Sequence, residues 1–202
     1  MKTLALLGTM LGFAFTAGLN LYATVLVIGV ALRFGWIVPP GSMAGLLVLA
    51  HPAVIGAAGV MYLVEFLADK IPAVDHVWDG IHTVVRPLGA AWMAWRTIGG
   101  AGLSEPVEVA LLLVAGGVAL SAHAGKAGTR LATASVGGHF LGIGIALSLL
   151  EDAVAFILAP MALLQPVLVL VVVVVALGAL ALLVPLGIRA IRKRRKPVPT
   201  VR

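Results

Sequence analysis

No cysteine occurs in the 202 residues. That excludes disulfides, thiolate metal sites and cysteine nucleophiles, and it leaves the redox compartment undetermined. Charge is nearly as scarce. Charged residues make up 11% of the chain, against about 25% in soluble domains, too few to cover a water-exposed surface. Hydrophobic residues make up 61% and the mean hydropathy is +1.13. Acidic residues number eight against fourteen basic ones, a net charge of +6. The surplus does not indicate a nucleic-acid binder, because seven of the fourteen lie at or after Arg189 and five are consecutive, Arg192 to Lys196. A basic run directly after an apolar span marks a cytoplasmic flank and suits contact with anionic lipid headgroups.

What remains is a series of apolar stretches, each near the roughly 20 residues that cross a bilayer. The expected fold is all-α, a polytopic transmembrane helix bundle of about six spans over residues 1–190, followed by a basic tail over 191–202. The N-terminus looks like a signal peptide, but apolar sequence continues to Leu32, so it is read as a retained first span. As one helix, Thr3 to Arg33 would measure about 45 Å, longer than the roughly 30 Å hydrocarbon core. Gly18-Leu19-Asn20 is the place to break it, since Gly weakens helix and Asn is costly in lipid. Phe34 to Gly41 reads as an interfacial loop with Trp36 at headgroup depth. Span two, Met43 to Ala68, should kink at Pro52 beside His51, which is read as a structural residue of the kink.

The third segment, Ala73 to Ile98, begins DHVWDGIHTVVRP and ends LGAAWMAW. Its first half is too polar to face lipid, so it is read as a helix lining a wet cavity or as a re-entrant hairpin. Spans four, five and six follow at Val107 to His123 or Leu131, His139 to Ala159, and Met161 to Ile188. Six crossings would return both termini to one side, with eleven Lys and Arg on that side against two, Arg33 and Arg96, opposite. The positive-inside rule makes that side the cytoplasm of a bacterial inner membrane, with the C-terminus inside. Five crossings, with a re-entrant third segment, would put the N-terminus outside. Two groups of three spans would form a 3+3 inverted repeat. GxxxG spacings at Gly8/Gly12, Gly41/Gly45 and Gly138/Gly142 imply close helix packing and admit a homodimer.

Ionisable groups within a bilayer cost from about 2.5 kcal/mol upward each, so their positions carry the functional information. Glu65 and Asp69 are four apart and share a helical face, with Lys70 next to them; such a pair can hold a proton or a cation, or it can end a span in headgroup water. Asp75, Asp79, His82 and Arg86 trace one stripe, with His76 beside it. Hard oxygens and imidazole there admit a divalent cation on Asp75, Asp79 and His82. A proton relay ending on Arg86, or an ion-paired interfacial helix, fits the same spacing. His123, Lys126 and Arg130 suit an anion or lipid phosphate, or a positive-inside flank. Glu151 and Asp152, three after Ser148, lie in span five and need partners or protonation, with Lys126 or Arg86 as counter-ion. His139 is read as interfacial.

Enzyme signatures fail. Asp75 and Asp79-Gly80 invite comparison with the acidic motif of CDP-alcohol phosphotransferases, but the spacing to Arg and two further aspartates are missing. G-x-S-x-G, H-E-x-x-H and a Gly-rich phosphate loop are missing too.

GLNLYATVL at Gly18 to Leu26, EFLADKIPAVDHVWDGIHTVVRP at Glu65 to Pro87, and HAGKAGTR with Ser148 to Asp152 resemble a prokaryotic membrane-protein family catalogued as domain of unknown function 4126. The resemblance covers nearly the whole chain. It departs at Thr133 to Gly138, where a Ser-Pro stretch followed by Ser-Asn is expected. The resemblance implies no activity, only that these clusters are the family's signature.

The residues together point to a small transporter or channel-like protein. Asp79, His82 and Glu151 would handle a proton or cation. Arg86, Lys126 and Arg130 would face an anionic substrate or lipid phosphate, and Asn20 would complete the site. A membrane-embedded enzyme acting on a lipid or quinone, and a structural or assembly subunit, are the alternatives. No cofactor is expected beyond the divalent cation. The expected partners are membrane lipids and a second copy of the chain, without nucleic acid.

Overall fold

The structure is a computed structural model that describes residues 2–135 and 142–194, with side chains left out at 72, 73, 75, 76, 131–135 and 183–194. The described elements are helices: α1 (Lys2–Arg33), a 3-10 segment (Gly41–Ala50), α2 (Pro52–Ala68), α3 (Pro72–Ile98), α4 (Glu105–Ser135), α5 (Ile143–Leu164) and α6 (Pro166–Arg194). The all-α expectation holds. His139, Gly138, the stretch 136–141 and the tail from 195 lie outside the described residues.

α1 is the axis of the bundle, and its small residues explain why. Gly8 lies against the Pro166 carbonyl, Gly12 against Ala162 and Val169, Gly18 against Ala119, and Gly29 against the Leu49 carbonyl. A Cβ at Gly8 would come within 2.0 Å of the Pro166 oxygen, so these neighbours approach the α1 backbone in a way no larger residue permits. The Gly8/Gly12 pair is thus used in the chain's own packing. Gly41 and Gly142 face open space, and Gly45 meets the Arg96 carbonyl. Met10, Phe13, Ile28, Leu46, Leu49 and Met93 fill the core between them.

The helix is interrupted where the sequence suggested. Asn20 has φ −150° and ψ 103°, outside the helical region. Its Oδ1 accepts a hydrogen bond from the Ala23 N–H at 2.9 Å, which caps the second half of α1 at its third residue. The expected kink in span two is a full break: the 3-10 segment and α2 meet at 64°. His51 Nδ1 accepts from the Ala53 N–H at 3.2 Å, and Pro52 takes the first helical position, where its missing N–H costs nothing. The third segment contains no hairpin turn. α3 runs as one 27-residue helix through Pro87.

Polarity is distributed inside out. On α3, Val77, Ile81, Val84 and Leu88 are exposed, while His82, Arg86 and Thr97 are buried. This explains how so polar a helix tolerates an apolar surrounding: only one face is polar, and it points inward. α1, α4 and α5 are long and apolar enough to cross a membrane, and the bent 3-10/α2 pair makes a fourth. These are the features of a membrane protein, although three or four helices pass that test where about six spans were expected. The polar stripe of α3 keeps it out of that set, and α6 enters only over Pro166–Leu182, the part whose side chains are described.

Helix directions revise one expectation. Thr9 bonds the Ala162 carbonyl and Asn20 bonds Asp152, so α5 runs antiparallel to the first half of α1. The chain reverses at Gln165, and α6 starts beside Gly8 and Gly12, heading the same way as α1. Among the described residues, the start of α1 and the end of α6 therefore lie toward opposite ends of the bundle.

Candidate functional site

A broken helix leaves carbonyls without their usual partners four residues on, and their partial negative charge attracts cations. Here two side chains meet that demand. Arg86 Nη1 donates to the Gly18 carbonyl at 2.9 Å, and Lys126 Nζ donates to the Leu19 carbonyl at 3.2 Å. α3 supplies Arg86 and α4 supplies Lys126, so the break in α1 is where helices remote in sequence converge.

Carboxylates from α2 and α5 surround these cations. Arg86 Nη2 pairs with Glu65 Oε1, and both side chains are fully buried. Lys126 Nζ lies 3.6 Å from Glu65, 3.7 Å from Asp69 and 3.3 Å from Glu151. Arg130 holds Asp69 through two bonds, of 3.2 and 2.7 Å, and Glu151 at 2.8 Å. Ser148 Oγ donates to Asp69 Oδ2 at 2.8 Å. Asp152 accepts from Asn20 Nδ2 at 2.9 Å and from Tyr62 Oη at 3.3 Å. Bidentate and charge-assisted geometry of this kind is what makes buried ion pairs tolerable once water is gone.

Two histidines flank the network, and their tautomers follow from their partners. Arg86 Nη1 lies 2.8 Å from His123 Nδ1 and can only donate. Nδ1 is therefore the acceptor, and the proton sits on Nε2, which reaches the Asp79 carbonyl at 3.0 Å. His82 Nδ1 donates to the Trp78 carbonyl at 2.8 Å, which leaves Nε2 to accept from Tyr22 Oη at 3.2 Å. Tyr22 also meets the His82 ring edge-on. Its ring lines a separate apolar cavity of about 410 Å³ between α1, α2 and α3, with Val25, Ala57, Met61, Gly89 and Trp92.

The structure thus joins Asn20, Glu65, Asp69, Arg86, His123, Lys126, Arg130, Glu151 and Asp152 in one buried network. His82 stands beside it. Lys70 does not join: its ammonium bonds the Phe66 carbonyl at 2.9 Å and lies over the Phe66 ring, because the turn after Ala68 carries it past the shared face of Glu65 and Asp69. Asp79 takes part through its backbone carbonyl, while its Oδ1 is buried without a partner among the described residues. The side chain of Asp75 lies outside the described residues. Among those described, no group of three His, Asp or Glu is placed to hold a metal ion, so the stripe of Asp79 and His82 does not gather into a ligand set. Counter-ions follow the expectation in part: Glu151 has Lys126 but not Arg86, which is held by Glu65.

Sequence reasoning missed Tyr62, Tyr22, Thr83, whose hydroxyl lies 3.3 Å from His123 Nε2, and the carbonyls of Gly18 and Leu19. Tyr62 was findable, three residues before Glu65 on the same helical face. The carbonyls had no signal beyond the break itself.

No curated protein matches the chain, and no solved structure matches it. A family model described as Domain of unknown function (DUF4126) matches residues 7–186. That span contains every member of the buried network and the break in α1. The chain therefore belongs to the DUF4126 family.

Proposed function

We propose that the protein is a small transporter or channel-like protein that moves an ion, a proton-coupled solute or a lipid-phosphate species through the polar site at the break in α1. The observation that supports this reading is the position of the break. Unwound backbone inside an apolar bundle is tolerated only where protein or a cavity receives it, and paired half-helices presenting their ends to charged groups are how membrane carriers build ion sites near mid-membrane. Here Asn20 caps one half while Arg86 and Lys126 receive the carbonyls of the other. A moving charge would enter a network in which each carboxylate can exchange one partner for another without leaving the protein.

The setting we propose is a bacterial inner membrane, with the basic tail in the cytoplasm and lipids as the immediate partners. With α1 and α6 running the same way, the N-terminus then lies outside, opposed by Lys2 alone. Reconstitution in proteoliposomes tests the function. The expected result is flux of a proton, a small cation or an anionic lipid above that of empty vesicles, reduced at least tenfold by Glu151→Gln. Absence of flux for all of these, with cells indifferent to Glu151→Gln, refutes it.

The apolar cavity beside Tyr22 and His82 favours a second reading, an enzyme or binding protein for a lipid or quinone. Mass spectrometry of the purified protein separates the two: a stoichiometric apolar ligand, lost when Ala57 or Gly89 is enlarged, supports the second.

A further inference from the structure

Among the described residues, the buried network contains four carboxyl groups, Glu65, Asp69, Glu151 and Asp152, and three basic side chains, Arg86, Lys126 and Arg130. The cations are not shared evenly. Arg130 takes Asp69 and Glu151, Arg86 takes Glu65, and Lys126 stands among Glu65, Asp69 and Glu151. Asp152 is bonded by two uncharged groups, Asn20 Nδ2 and Tyr62 Oη. A second observation stands apart from this count. Glu65 is fully buried and makes both its ion pairs through Oε1, while Oε2 has no partner. Glu65 follows Tyr62 by three residues, so it shares the face of α2 that meets Asp152.

The histidines do not supply the missing charge. His123 Nδ1 accepts from Arg86 and would lose that bond on protonation. His82 Nε2 faces Tyr22 and not a carboxylate. An uncompensated negative charge within an apolar slab is too costly to persist. We propose that the network is completed by one exchangeable proton, carried on Asp152, with the partnerless Glu65 Oε2 as its neighbouring acceptor.

The surroundings of Asp152 favour a proton over a metal cation. α1 presents Asn20. α2 presents Tyr62, Glu65 and Asp69, and α3 reaches the far side of Glu65 with Arg86. α4 presents Lys126 and Arg130, and α5 itself carries Glu151. Hard cations demand several oxygen ligands at once, whereas both Asp152 oxygens already engage neighbours. A proton needs one lone pair. On Asp152 Oδ2 it would reverse the 3.3 Å bond that Tyr62 Oη otherwise donates, the acid then donating to the phenol oxygen. As the charge that the protein would move, this proton rests on the transport reading; its presence on Asp152 does not.

Infrared spectroscopy of the purified protein in lipid tests it. The expected result is a carbonyl-stretch band of a buried protonated carboxyl group, shifted in heavy water, lost in Asp152→Asn and displaced in Tyr62→Phe. Asp152→Asn keeps an acceptor for Asn20 and imitates the neutral acid, so it should fold and melt as the wild type does. A wild-type protein with no such band, or a band that survives Asp152→Asn unchanged, overturns the proposal. So does a saturable one-site stabilisation by sodium or potassium in a protein lacking the band. The two readings fail separately. A band without any flux in vesicles removes transport and leaves the proton, whereas flux without the band removes the proton and leaves transport.

Discussion

Replacing Arg86 by Met tests the network at its most buried member. The side chain is fully buried and does three things: it pairs with Glu65, donates to the Gly18 carbonyl and donates to His123. Met conserves the apolar stem and removes the guanidinium. Breaking one side of a buried ion pair costs about 3–5 kcal/mol, because the other charge remains. Lys126 stays 3.6 Å from Glu65, which places the expected loss in the lower half of that range. The orphaned Gly18 carbonyl adds about 1–3 kcal/mol. Glu65→Gln alone should cost a similar amount, by stranding Arg86. Together, Glu65→Gln and Arg86→Met remove both charges, and what remains is mainly the carbonyl term of about 1–3 kcal/mol. The double variant is thus expected to be no worse than either single one. Reversible unfolding in mixed micelles measures all three. Independent sites add within about 0.5 kcal/mol, so additive losses in the double variant would refute the claim that these residues form one buried pair.

Asn20→Ala should lose about 0.5–2 kcal/mol from the missing cap of the second half of α1, read in the same unfolding assay, and infrared spectra should show Asp152 altered by loss of its 2.9 Å bond. Gly8→Ala should destabilise by about 1–3 kcal/mol through overpacking, because its Cβ would fall within 2.0 Å of the Pro166 oxygen, while Gly41→Ala, which meets nothing within 4 Å, should stay within about 0.5 kcal/mol. Lys70→Ala should also stay within about 0.5 kcal/mol and leave any flux unchanged, since its ammonium engages only Phe66 among the contacts described; a large loss would put Lys70 back in the network. The chain contains no cysteine, so single cysteines introduced at positions 2 and 202 can be labelled from either side of a sealed vesicle. Opposite accessibility is expected, and labelling from one side would contradict the shared direction of α1 and α6.

Much of this site was legible because lipid penalises polar groups so heavily. An asparagine in an apolar run announced the break at Asn20, and a 30-residue stretch too long for a bilayer had to tilt, protrude or break. Paired acids at Glu65/Asp69 and Glu151/Asp152 had to find partners, and the bases at Arg86, Lys126 and Arg130 had to be among them. The matching was not legible. Arg130 meets Asp69 across 61 positions, and nothing local distinguishes that pairing from Lys70 with Asp69. Backbone carbonyls as acceptors for Arg86 and Lys126 were invisible, since a sequence shows which helix breaks but not what faces the break. The stripe Asp79, His82, Arg86 was real as a face of α3, yet a shared face fixes only direction. Whether side chains on it converge depends on the neighbouring helix, and His123 of α4 draws Arg86 and the Asp79 carbonyl, not the Asp79 carboxylate.

The segment from Gly41 to Ala50 winds in 3-10 turns broken at Met43, whose φ of −111° and ψ of 17° leave the helical region, so its longer piece is the seven residues after Met43. At a rise of about 2.0 Å per residue these seven extend roughly 3.5 Å further than they would as α-helix. The segment is therefore a stretched tether joined at His51 to the rod that ends in Glu65 and Asp69. Rewinding it would shorten the tether, draw that rod lengthwise and change which cations its two acids can reach. Spin labels at Gly41 and Ala50 would read the contraction directly, and a spacing that stays constant whatever the occupancy of the carboxyl groups would show that the tether is fixed.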